Sequence, residues 1–318
     1  MADVIKKATR ESYGEALTEL AEKYPNLVVL DADLAAATKT GIFKKKYPSR
    51  FFDCGIAEAN MMGVASGLST CGFIPFASTF AMFAAGRAFE IVRNSIGYPH
   101  TNVKVGATHA GISVGEDGAT HQCNEDIALM RTIPDMVIIN PADDVETRQA
   151  VESAILHDGP VYMRFGRLAT PIFNDKETYK FELGKGVTLR EGNDVTIIAT
   201  GLMVNESLIA CDMLKKDGIN ARVVNIHTIK PIDKDLINRC ASETGLIITA
   251  EEHSIIGGLG SAVAETVAEC YPVPIVRIGI NDEFGHSGSA VDLLKEFGLS
   301  AENIYNTTKS ALEKLKNS

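Results

Sequence analysis

The chain has 318 residues, 45% of them hydrophobic and 23% charged. Its 31 lysines and arginines stand against 41 acids, a formal net charge of −10, which argues against nucleic acid and against an anionic membrane surface as partners. No run approaches the roughly 18 apolar residues that span a bilayer, and no basic-then-apolar leader opens the chain, so cytoplasm is the expected compartment.

At this length two domains are the default. Tyr13, Ala16, Leu17, Leu20, Ala21 and Tyr24 recur at helical spacing, so 11–24 reads as an amphipathic helix that Pro25 stops. The apolar run Leu27–Leu30 reads as a buried parallel strand. Asp31 and Asp33 follow at its C-terminal end, where open α/β sheets bind ligands. Residues 35–50 are polar and basic and read as a loop with a short helix. A helix rich in Ala, Gly and Met is expected over 58–69. A short strand is expected over 74–76, which Pro75 places at an end or edge. A helical pattern covers 81–96, and the strand 103–107 leads into His109. Strands at 136–139 and 160–163 flank a helix at 143–156 whose first turn is acidic.

This alternation implies a mostly parallel sheet covered on both faces. Residues 165–190, with Pro171 and Asn174-Asp175, break the rhythm as a linker would. A second alternation follows, with strands at 194–200, 221–225, 246–249 and 275–279 among helices at 204–216, 233–242, 257–270 and 290–317. The expected class is α/β with two domains, each a mostly parallel sheet flanked by helices: 1–168, a linker at 169–188, and 189–318.

The six cysteines form no C-x-x-C pair and no zinc-type spacing with histidine, so reduced, mostly buried thiols are expected. Glu58 stands alone among small and apolar residues near a helix start. By itself it reads as an acid favoured by the helix dipole; in an apolar cleft it would be a carboxylate suited to sharing a proton with a ring nitrogen. Phe80 and Phe83, three apart, read as core unless they line a cleft, where their faces could hold a flat heterocycle. His109, Glu116, Asp117 and His121 cluster around a Gly-Glu-Asp-Gly turn past a strand end, a set suited to binding a polyhydroxylated substrate and moving protons near neutral pH. Glu251-Glu252-His253 before Gly257-Gly258-Leu259-Gly260 lacks the spacing of a phosphate loop and reads as a tight strand-to-helix turn. Arg164 ends a strand and could grip a phosphate, whereas Arg167 reads as surface solvation.

Gly55-Ile-Ala-Glu-Ala-Asn-Met61, Ser78-Thr-Phe80, Thr108-His109 and Gly115-Glu-Asp-Gly-Ala-Thr-His-Gln122 together resemble the pyrimidine-binding domain of the transketolases. Residues 181–318, with Glu251-Glu-His-Ser-Ile-Ile-Gly-Gly-Leu-Gly260, resemble the C-terminal domain of the same thiamine-diphosphate family. The resemblance implies that Glu58 bonds the aminopyrimidine and promotes formation of the cofactor ylid, with Phe80 and Phe83 packed around the ring. It implies that His109 and Asp117 contact donor hydroxyls and that His121 transfers protons at the reacting carbonyl. Asp33 would stand at the substrate entrance, and Arg10 and Arg164 would bind phosphate. A serine usual in that phosphate site falls near Ala37, and an aromatic usual beyond Phe83 is replaced by Ala84-Ala-Gly-Arg87.

The family holds diphosphate and Mg²⁺ (or Ca²⁺) with a Gly-Asp-Gly motif followed by Asn on a separate N-terminal domain, and no Gly-Asp-Gly occurs in this sequence. The expectation is a C-terminal subunit of a split transketolase, active only with an N-terminal subunit in an α₂β₂ assembly. It would move a two-carbon ketol unit between sugar phosphates in the pentose phosphate pathway. The alternatives are a relative acting on an unusual sugar phosphate, a sulfosugar or a 2-oxo acid, and a non-catalytic regulatory module.

Overall fold

A computed structural model of the chain describes residues 5–317, so the outermost residues of the two expected domains lie outside the described residues. Near its start, β1 (Lys6–Ala8) pairs antiparallel with β8 (Ala169–Pro171). A seven-stranded sheet has the order β12-β6-β7-β5-β4-β2-β3. Its members are β2 (Leu27–Asp31), β3 (Phe51–Asp53), β4 (Ile74–Phe80), β5 (Lys104–Thr108), β6 (Val137–Ile139), β7 (Val161–Arg164) and β12 (Thr228–Lys230). All neighbours run parallel except β12 against β6. A five-stranded sheet has the order β14-β13-β10-β11-β9, built from β9 (Val187–Arg190), β10 (Val195–Ala199), β11 (Ala221–Asn225), β13 (Ile247–Ser254) and β14 (Ile275–Ile280). Here only β9 is antiparallel to its neighbour.

Every residue of β2, β5, β10 and β11 is buried, because helices cover both faces of each sheet. Asp143 caps the helix Asp144–Leu156 by accepting from the Glu146 amide, and Asp233 caps Lys234–Thr244 by accepting from Leu236. One apolar cluster runs from Val28, Met61 and Tyr162 around the first sheet to Ile198, Val224 and Leu259 around the second, so the two sheets share a core.

Several expected boundaries shift. The strand at 74–76 extends to Phe80 and is central, between β2 and β5. Pro75 is tolerated there because the Ile74 amide bonds Asn26 on the β2 side, so the missing N–H at 75 faces the β5 side, where pairing starts only at Phe76. The expected linker contains β8 and β9. Residues 228–230, expected in the second unit, join the edge of the first sheet as β12. These short strands pair through tertiary contacts that no local period announces. The helical stretch after β4 contains two wide π-type turns, Phe83–Arg87 and Val92–Gly97. Cys123, Cys211 and Cys240 are buried, while Cys71 and Cys270 are exposed, so burial of the thiols is less general than expected.

Candidate active site

The C-terminal ends of β2, β4 and β5 deliver Asp31, Phe80 and Thr108 to one side of the first sheet. His109 follows β5 directly with a left-handed backbone, φ +55°. Its ring stacks on Phe80 with centroids 3.8 Å apart. Its Nε2 lies 3.0 Å from Nη1 of Arg10, and its Nδ1 lies 2.9 Å from the Thr108 hydroxyl. A guanidinium only donates, so Nε2 is the acceptor and the ring is the neutral Nδ1–H tautomer. Burial, then the charges of Arg10, Arg167, His121 and Lys39, push the His109 pKa down to about 3, which agrees with that tautomer. Arg10, in the first turn of the helix Thr9–Leu20, also donates to the Ala37 carbonyl at 3.0 Å. That carbonyl is set by Asp31, whose buried carboxylate accepts from the Leu34 amide, Thr38 and Thr40 at 2.6–2.8 Å. Burial raises the Asp31 pKa to about 6 against those bonds.

Glu58 opens the helix Glu58–Thr70 and is 1% exposed. Nη1 of Arg87 donates to both of its oxygens, at 2.9 and 3.0 Å. The same guanidinium lies 4.7 Å from the centre of the Phe83 ring. Phe83 runs nearly parallel to Phe80, with centroids 5.7 Å and planes 10° apart. A flat cluster of N–H donors therefore rests on an aromatic ring with one edge on a buried carboxylate. The π-type turn after Phe83 adds one residue and brings Arg87 round to Glu58.

The loop after His109 closes the cleft. His121 stands edge-on to Phe83 at 5.4 Å and to Phe80 at 6.4 Å. Asp117 is exposed at the loop tip, 3.9 Å from Arg167. Arg167 also lies 3.4 Å from Glu116 and donates to the Val114 carbonyl. Asp33 is exposed at the rim, φ +62°, with its amide donating to Asp53 at 3.2 Å.

The structure thus joins Arg10, His109, Phe80, Phe83 and His121, and through Arg87 also Glu58, into one connected cluster, with Asp117 and Asp33 exposed on loops. Arg164 is held inside the fold. It is 3% exposed, donates from Nε to Asp126 at 2.9 Å and from Nη2 to the Glu252 carbonyl at 2.9 Å. Two of its three nitrogens are thus committed to an acid and to carbonyls inside the fold. Its position at a strand end was right; the buried acid that claims it lies 38 residues away in sequence. Arg167, read from sequence as solvated, is the arginine whose charge reaches Arg10 and His109. Only the fold shows that the next arginine, Arg167, bonds the loop that follows His109. Arg87 was missed because its reach depends on the wide turn.

This geometry gathers aromatic, imidazole and guanidinium groups and one buried carboxylate at the carboxyl ends of a parallel sheet. Two families match the chain: transketolase, pyrimidine binding domain, over residues 5–172, and transketolase, C-terminal domain, over 184–304. The chain belongs to the transketolase family, among its split C-terminal subunits. It is 52% identical to a protein of Methanocaldococcus jannaschii named as a transketolase C-terminal section, over 98% of both chains. It is 44% identical to the 6-deoxy-6-sulfo-D-fructose transketolase subunit SqwH of Clostridium sp. strain MSTE9, over 96% of this chain and 94% of that one. A solved split-gene transketolase, described as an inactive β4 tetramer, superposes with a TM-score of 0.88 at 53% identity, over 96% of this chain and 98% of that one. Mammalian transketolases match 97% of this chain but 50% of their own length. Membership of the family implies dependence on thiamine diphosphate. No helix among the described residues is long and apolar enough to cross a membrane.

Proposed function

We propose that the chain is the C-terminal subunit of a two-chain transketolase, moving a two-carbon ketol unit from a ketose phosphate to an aldose phosphate. The observation that carries this reading is Arg87 on Glu58 and Phe83. An aminopyrimidine, like a guanidinium, is flat and presents nitrogen along one edge, so the residues that hold Arg87 have the chemistry to hold that ring. Thiamine diphosphate, when bound, supplies the electron sink for breaking and making the C–C bond. Glu58 holds the nitrogen edge and exchanges a proton there, while Phe80 and Phe83 pack the ring.

On the substrate side, His109 is neutral and accepts at Nε2, so it can take a hydrogen bond from a substrate hydroxyl when Arg10 turns to an anion. Asp117 accepts from hydroxyls, and His121 moves a proton at the reacting carbonyl oxygen. Arg10 and Arg167 face the anionic end of the sugar, the role expected of Arg164 from sequence; Asp33 guards the entrance. The chain carries no Gly-Asp-Gly. We assign the diphosphate and its Mg²⁺ or Ca²⁺ to a partner N-terminal subunit that carries that motif followed by Asn, in an α₂β₂ assembly.

The test is a transfer assay with both subunits, xylulose 5-phosphate and ribose 5-phosphate. The expected products are a seven-carbon ketose phosphate and a three-carbon aldose phosphate; no turnover by an assembly that binds cofactor sinks the pentose-phosphate reading. A second reading, a sulfosugar donor, is favoured by the 44% identity to SqwH and by Ala37, whose carbonyl takes one Arg10 donor where a hydroxyl was expected. Turnover of 6-deoxy-6-sulfofructose without turnover of pentose phosphates would select it.

A further inference from the structure

The loop 110–124 is tied to the second sheet as well as to its own, where the Ala110 amide donates to the Phe165 carbonyl and Arg164 to that of Cys123. At its centre, Oε1 of Glu252, from β13, accepts from the Ser113 amide at 2.7 Å. Gly111, with φ +80°, lets the backbone lie directly against that carboxylate; a Cβ there would stand 2.3 Å from Oε1. The loop's return limb is tied to the same strand, since the Ser254 amide donates to the Asn124 carbonyl at 2.7 Å. Between the limbs, the Gly111 amide donates to the Cys123 carbonyl at 2.9 Å. Arg164 donates to the backbone carbonyl of Glu252 while its Nε holds Asp126, just beyond the loop.

Glu252 is 4% exposed. Burying a carboxylate costs free energy that an apolar residue of the same size would not. Packing the two sheets together does not call for an acid at this position. What an acid adds is a strong acceptor for a loop amide that would otherwise be buried without a partner. We propose that Glu252 is the positioning residue for the loop that carries Asp117 and His121. Through it the second domain sets how those side chains meet the substrate. This gives the C-terminal domain a part in the reaction besides assembly, and it rests on the reading of 109–121 as the substrate face.

Two variants separate positioning from packing. Glu252→Met keeps the volume and removes the acceptor; Glu252→Gln keeps an acceptor oxygen. Hydrogen exchange on the full chain should show amides of 111–122 exchanging about 10-fold faster or more in Glu252→Met. Glu252→Gln should stay within about 3-fold of the parent, with the rest of both chains unchanged. In the assembled enzyme, Glu252→Met should raise KM for the ketose donor about 10-fold, leave the affinity for thiamine diphosphate unchanged, and be rescued in Glu252→Gln. Equal exchange in the Met and Gln variants, or faster exchange spread evenly over the chain, would overturn the proposal. The exchange contrast is read without substrate. If it appears in a protein that transfers no ketol unit, the positioning stands and the functional reading fails.

Discussion

His109 and His253 are both buried, and both lie close to arginine and to the loop between β5 and the helix Asp126–Arg131. Around His109 the partners are spread toward solvent: His121 is half-buried, Asp117 is exposed, and Arg167 has a side chain 37% exposed. Around His253 they are sealed: Asp126, Arg164, Glu251 and Glu252 are all at most 4% exposed. In the sealed cluster nearly every donor already has a fixed target. Glu251 accepts from the Leu259 and Gly260 amides at 2.6 and 2.8 Å, capping a helix, and Arg164 bonds Asp126 and a carbonyl. The same side-chain types stand toward solvent in one place and hold two sheets together in the other. Access to solvent, rather than residue type or place on a strand, separates them.

The largest expected contrast lies at the cofactor carboxylate. Glu58→Ala in the assembled enzyme should lower kcat by at least about 100-fold, measured as ketol transfer; substantial residual activity would take Glu58 out of the proposed cofactor site. Next come the two arginines. Arg164→Ala strands a buried acid and should cost about 3–5 kcal/mol in urea unfolding. Arg167→Ala should change stability by no more than about 0.5 kcal/mol while raising KM for the phosphorylated substrate about 10-fold. The reverse pattern would erase the distinction between the clusters. Arg87→Ala leaves Glu58 buried without its donor and should cost about 1–3 kcal/mol in the isolated chain, a loss that unfolding of the chain alone would read.

The smallest effect is on pH dependence. Burial raises the Glu251 and Glu252 pKa values from 4.5 to about 7, against the pull of Arg164 and the loop amides, and burial lowers that of His253 from 6.5 to about 4. The folded chain thus holds carboxyl protons that the unfolded chain releases above about 4.5, so these acids favour folding at low pH and lose that contribution as pH rises through 7. His253 works the other way, losing stability as pH falls from 6.5 toward 4. The two oppose below 6.5; above it the acids of this cluster titrate together with Glu146, raised to about 7, and against Lys104, lowered to about 7, whose neutral buried form gains stability as pH rises. The Tm of the parent relative to that of Glu252→Gln should fall by about 1–3 °C between pH 6.5 and 8; an unchanged difference would remove Glu252 from the titrating group.

Much of the frame was legible in the sequence. The buried runs at β2, β5, β10 and β11 and the helices that follow Asp143 and Asp233 were read from local patterns. The edge strands β3, β8, β9 and β12 were not legible, because they lack the buried apolar run that marks the equally short β6 and β7. The cleft's residues stood together in motifs, so Glu58, Phe80, Phe83, His109 and His121 could be picked out before any coordinates. Glu252 could not, since the amide it holds is 139 residues away. Arg164 and Arg167 differ by three positions, and only burial tells which one is engaged by Asp126.

The central claim is that this chain forms one wall of a cofactor site that a second subunit completes. Calorimetric titration of thiamine diphosphate with Mg²⁺, into the chain alone and into the chain with its N-terminal partner, tests it most directly. The account predicts no tight binding to the chain alone and tight, Mg²⁺-dependent binding to the pair. Tight, Mg²⁺-dependent binding to the chain alone would contradict it.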